Sequence, residues 1–187
     1  PLHVFHFDCY WMEAYEWCNF TWDPKTFPDP EGMIMFLLEN RIHLCLWIYP
    51  YIGEESEYFR LAGEKGWLVK DGNGNPLTFY ATAAADRKVG CFDFTNPGFR
   101  EWYVPRVKEV IGMGIGAVKT DFSEAVPENA VYYDGSNGLQ GHNKLTYLYA
   151  KTIYEAMKEV KEPLGERPML WGRSGYAGSH TIPAAWA

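Results

Sequence analysis

The sequence predicts an α/β fold in which parallel strands alternate with helices, as in part of a (β/α)8 barrel. Three observations predict it. Four apolar, strand-like runs are separated by stretches with helical spacing. The connections that follow the first three strands are long, polar and aromatic, covering 9–27, 50–95 and 122–140. The connections that lead back into the next strand are short: "ENR", "GMG" and "EPLGE". A barrel whose site is built on its C-terminal loops shows this asymmetry. A doubly wound open sheet has the same local grammar and is the alternative.

The first strand is "LHVFHFD" (2–8), which ends in His6 and Asp8. They are two apart, so they share a face. The first helix opens with Asp29 as N-cap and Pro30 at its first position, and carries Met33, Ile34, Leu37 and Leu38 as its apolar side. The second strand is "IHLCLWIY" (42–49), with Trp47 near its end. The 50–95 excursion follows, in which "VKDGNGNPLTF" predicts a hairpin around a Gly/Asn-rich turn. The second helix starts at Asn96-Pro97 and runs to about Ile111, with Pro105 expected to kink or interrupt it. "IGAVKTD" (115–121) is the third strand and delivers Lys119 and Asp121 to one face. The third helix, about 142–160, repeats Leu145, Leu148, Thr152, Ile153, Ala156, Met157 and Val160 near i, i+3, i+4 spacing. "RPMLWGR" (167–173) is the fourth strand and ends in Arg173.

Composition narrows the function classes. With 187 residues, 47% of them hydrophobic, one domain with a sizeable core is expected. A net charge of -7 argues against nucleic acid as a partner. No apolar run approaches the roughly 20 residues of a membrane span. Cys9, Cys18, Cys45 and Cys91 form no C-x-x-C pair, so free thiols in a reducing, cytoplasmic compartment are expected. The 8 Trp, 13 Tyr and 11 Phe supply either a large aromatic core or faces for sugar rings. The chain starts inside an apolar run and stops at "IPAAWA", so both ends read as cut from the middle of a barrel, residues 1–187 forming its central part.

Polar groups at four strand ends converge on one rim, where barrel sites are built. The bland reading of "AVKTDFSE" is a structural ion pair; the sharp one is a reactive carboxylate, Asp121, kept charged by the ammonium beside it. A metal site begun by "HFD" is disfavoured, because His43 sits at the wrong strand end and His142 and His180 lie in helix or loop. "GMGIGAVK" has its glycines before a strand rather than after one, the reverse of a dinucleotide-binding turn.

Six motifs occur in order: "FHFDCYWM", "WDPKTFPDPEGM", "LCLWIYPYIG", "DFTNP", "VKTDFSE" and "GRSG". Together they closely resemble the catalytic barrel of glycoside hydrolase family 31, and its bacterial α-xylosidases most of all. The resemblance spans nearly the whole chain and implies about the second to fifth strands of the barrel. It implies a retaining α-glycosidase acting on α-xylosides or related oligosaccharides, without metal or organic cofactor, with α-glucosidase as the alternative. By resemblance Asp121 is the nucleophile and Lys119 its charged neighbour. Asp8 binds sugar hydroxyls, Trp47 is the aromatic wall of that subsite, and Arg173 holds sugar oxygens near the scissile bond. Cys9 and Tyr10 match the xylosidase version of the first motif. Ser123 stands where the family usually has glycine, and Tyr49 where it has asparagine. The acid/base aspartate is expected beyond Ala187, supplied by the remainder of the same polypeptide. An inert fragment or a sugar-binding protein is the rival class, and homo-oligomerisation is left open.

Overall fold

The structure is a computed structural model that describes residues 2–81 and 86–185. Its main sheet has five parallel strands: β1 (Val4–Phe7), β2 (His43–Ile48), β6 (Ala117–Thr120), β7 (Leu170–Gly172) and β8 (Ala184–Ala185), in that spatial order. Among the described residues four α-helices accompany it: α1 (Pro30–Glu39), α2 (Glu57–Lys65), α3 (Pro97–Gly112) and α4 (Gly138–Lys161). A second, antiparallel sheet of β3 (Tyr51–Gly53), β5 (Lys88–Cys91) and β4 (Thr78–Tyr80) stands in the connection after β2. The sheet is part of an α/β barrel.

Register fixes which side chains meet. Trp47 lies opposite Lys119, and Lys119 opposite Trp171. One side chain in two points the same way along a strand. His6 and Asp8, Cys45 and Trp47, Lys119 and Asp121, and Trp171 and Arg173 therefore share the concave face. Leu44, Leu46, Ile48, Val118 and Leu170 occupy the other face and are buried in the core with Ile34 of α1 and Ile153 and Met157 of α4.

The helix starts follow their caps. The Asp29 carboxylate accepts from Gly32 N at 2.9 Å, and the Asn96 amide oxygen from Gly98 N at 2.9 Å. Each occupies a donor that the first helical turn leaves unpaired. Pro105 does not interrupt α3, which is continuous over 97–112. The proline is exposed, while Phe99, Tyr103, Val107, Val110 and Ile111 are buried, so packing of the opposite face holds the helix together. α4 begins at Gly138, four residues before the apolar repeat reveals it. The 50–95 stretch holds α2 and three short strands besides the turn that Asp71 closes, where Asp71 N donates to Asn75 O at 2.8 Å. "TAAA" (82–85), within that stretch, lies outside the described residues.

Candidate active site

Asp121 follows β6 directly, and its N–H still donates to Ile48 O at 3.0 Å, so the residue is held as if the strand continued. It is 5% exposed. A carboxylate so buried needs donors on both oxygens. Oδ2 accepts from Trp47 Nε1 at 2.8 Å and lies 3.4 Å from Lys119 Nζ. Oδ1 accepts from Phe122 N at 3.1 Å and from Arg173 Nη1 at 3.3 Å. The neighbouring strands β2 and β6 and the residue that follows β7 thus each bring one side-chain donor to one carboxylate, besides the Phe122 N–H.

Lys119 is shared. Its Nζ stands 2.9 Å from Asp8 Oδ2, closer than to Asp121. Asp8 also accepts from Cys9 N at 2.9 Å, capping the short 3-10 turn Cys9–Trp11, and meets His6 Nε2 at 3.1 Å. Burial works against the Asp8 charge, but the bonds from Lys119, the Cys9 N–H and His6 outweigh it, and its pKa lies below the ordinary carboxylate value. The Asp8 side chain is still 54% exposed, so its remaining lone pairs face open space.

Sequence reasoning placed Asp8, Trp47, Lys119, Asp121 and Arg173 on one rim, and direct contacts join all five. Trp47 differs in one respect from an open aromatic wall. It is 1% exposed and stacked on Tyr49 at 4.8 Å, so it offers its indole N–H to Asp121 rather than a bare ring face. Cys9 adjoins Asp8; burial first, and then the Asp8 charge, push its thiol up to about 11, which leaves it a neutral, space-filling group at neutral pH. Tyr10 stands apart from the carboxylates, 67% exposed, with its ring edge-on to Trp17 at 6.3 Å.

Two participants were missed in the sequence. Glu124 Oε1 receives Arg173 Nη2 at 2.8 Å, and Glu124 Oε2 receives Ser174 Oγ at 2.6 Å. The signal was only an acidic residue three positions after Asp121, and spacing alone does not show that the chain turns back. The turn is visible in the backbone: Phe122 and Ser123 have φ of 58° and 94°. Among the described residues, no three His, Cys, Asp or Glu side chains converge as a metal-ligand group.

The family model described as the glycosyl hydrolases family 31 TIM-barrel domain matches residues 1–187. The chain belongs to glycoside hydrolase family 31. It is 37% identical over 196 aligned residues to alpha-xylosidase XylQ of Lactiplantibacillus pentosus, covering 100% of this chain and 25% of that protein. It is 36% identical to an alpha-xylosidase of Emericella nidulans, covering 100% of this chain and 23% of the relative. Among solved structures, a family 31 alpha-xylosidase from a soil metagenome, complexed with xylose, superposes with a TM-score of 0.76 at 28% identity, over 96% of this chain and 26% of that one. A Flavobacterium johnsoniae dextranase of the family superposes at 0.85 over 100% of this chain and 23% of its own, at 20% identity, and speaks for the fold alone. The chain therefore spans about a quarter of the length of the relatives it matches.

Proposed function

We propose that this segment carries the nucleophile of a retaining α-glycosidase that removes α-xylosyl residues. The observation that carries the reading is the Asp121 carboxylate, buried at the barrel rim and held by Trp47, Lys119 and Arg173 from three adjoining strands. A nucleophile needs a fixed position and a surround that can take up charge change during the reaction. The names of the relatives support xylose as the sugar.

In the proposed reaction an Asp121 oxygen forms a bond to the anomeric carbon while the bond from that carbon to the leaving oxygen breaks. The leaving oxygen takes a proton from a second carboxyl group, expected beyond Ala187. Water then attacks the same carbon, releases Asp121 as a carboxylate, and returns its proton to that second group. Retaining enzymes hold the two carboxyls about 5–5.5 Å apart. Asp8, open on one side and paired with Lys119 on the other, would accept bonds from sugar hydroxyls. Cys9, beside Asp8, would leave little room for the hydroxymethyl group that distinguishes glucose from xylose.

The test is kcat/KM on matched aryl α-xyloside and α-glucoside, using the full-length polypeptide and its Asp121→Asn variant. Xyloside should be preferred. The variant should keep its melting curve and lose turnover by about 10⁴-fold or more, in the range seen when a nucleophile is removed. A clear preference for glucoside would move the reading to α-glucosidase. Near-normal turnover by Asp121→Asn would remove Asp121 from the mechanism.

A further inference from the structure

Arg173 stands between two carboxylates, and the contacts are unequal. Its Nη2 lies 2.8 Å from Glu124 Oε1, whereas its Nη1 lies 3.3 Å from Asp121 Oδ1. Left with Asp121 alone, a guanidinium closes on a carboxylate with both N–H groups at about 2.7–2.9 Å. That fork would occupy the oxygens that a nucleophile must present to carbon. We propose that Glu124 is a positioning residue that holds Arg173 partly away from Asp121, so that the arginine stays beside the reacting oxygens without locking them.

Glu124 is itself fixed well enough to act this way. Its Oε2 is taken by Ser174 Oγ at 2.6 Å, so the carboxylate brackets two consecutive residues at the end of β7. Its carbonyl accepts from His142 Nε2 of α4 at 2.9 Å, and the next N–H, of Ala125, donates to Tyr51 OH at 2.9 Å. The Arg173 guanidinium also lies over the Phe122 ring at 4.1 Å from its centroid, which fixes the plane in which it meets the two acids. The positive φ at Phe122 and Ser123 folds the chain so that acids three residues apart reach one cation. Both Glu124 oxygens accept from side chains of the 173–174 pair, so a role in donating or removing a proton is not where this geometry leads.

The inference rests on the proposed glycosidase reading, and its test separates the two. Glu124→Gln keeps the shape and an acceptor for Ser174 or Arg173 but weakens the pull on the guanidinium. In the full-length polypeptide, with a dinitrophenyl α-xyloside whose leaving group needs little protonation, kcat should fall by between about 10- and 10²-fold. A misplacement near 1 Å produces an effect of that order. KM should stay within about twofold, and the melting temperature should not move. Glu124→Asp, which retains the charge on a shorter arm, should recover part of the lost kcat. Unchanged kcat in Glu124→Gln, or a loss that tracks a fall in melting temperature, would overturn the inference while leaving the function intact. A wild type that cleaves neither α-xyloside nor α-glucoside would overturn both.

Discussion

Ser123 occupies a backbone conformation, φ 94°, that side chains with a Cβ adopt at a cost of about 1–3 kcal/mol. It is fully buried, and its hydroxyl donates to Thr146 Oγ1 at 3.0 Å. Two opposing effects therefore meet at one residue. Ser123→Ala keeps the strain and loses a bond worth about 0.5–1.5 kcal/mol. Ser123→Gly loses the same bond but relieves the strain, at a cost of about 0.5–1 kcal/mol in the entropy of the unfolded chain. The glycine variant should exceed the alanine variant in stability by about 1 kcal/mol, the middle of the range of about 0–2.5 that the two terms leave, measured by denaturant titration. An alanine variant more stable than glycine by about 0.5–1 kcal/mol, the full entropy cost of the glycine, would show that the turn carries no strain. The same turn explains why the site was only partly legible. Asp8, Trp47, Lys119, Asp121 and Arg173 stand out because charge and Trp at the ends of apolar strands are unusual. Glu124 lies in a polar loop, where an acid attracts no notice, and only the reversed backbone at Phe122 and Ser123 brings it to Arg173.

Elements were legible where apolar periodicity was strong and obscure where they were short or contradicted by one residue. β2, β6 and α4 announce themselves by burial on one or both faces, and β1 and β7 by the longer apolar runs, 2–8 and 167–173, in which they sit. α2 buries only Ala62 fully, and β3 has three residues ending in Gly53, so neither carries a pattern long enough to separate from loop. α3 contains a residue that argues against it. Pro105 gives Glu101 O no intrahelical donor, but both residues are exposed, so water can serve that carbonyl. Five buried side chains on the other face outweigh the penalty. Pro105→Ala should therefore stabilise the protein. The helix gains about 3 kcal/mol in propensity and gives back about 0.4–1 kcal/mol as the unfolded chain becomes freer, so a net gain near 2 kcal/mol is expected. A rise in the denaturation midpoint at unchanged slope would confirm it. No change, or a loss, would mean that the proline makes a contact that offsets its missing N–H.

At the scale of the whole molecule the sheet is open. β1 pairs only with β2 and β8 only with β7 among the described residues, whereas a closed barrel leaves no edge. The β1 edge is also apolar and accessible: Leu2, Val4 and Phe5 are 58%, 51% and 43% exposed. Edge strands that avoid pairing with other chains carry charge, proline or a bulge, and none of these stands among Val4, Phe5, His6 and Phe7. Within a longer polypeptide a neighbouring strand of the barrel would cover this edge. The 187-residue chain purified by itself should instead associate. Sedimentation velocity should show a mean mass above 21.5 kDa that rises with concentration. Phe5→Lys should lower that association, because a charge placed on the edge must be desolvated for a second strand to pair there. Phe5 packs edge-on against Phe7 at 5.2 Å and is itself half in solvent, so the substitution should leave the fold standing. A single 21.5 kDa boundary at every concentration would show that the open edge is tolerated in isolation. Association unaffected by Phe5→Lys would place the sticky surface elsewhere, with the exposed Met35 and Phe36 of α1 the next to substitute.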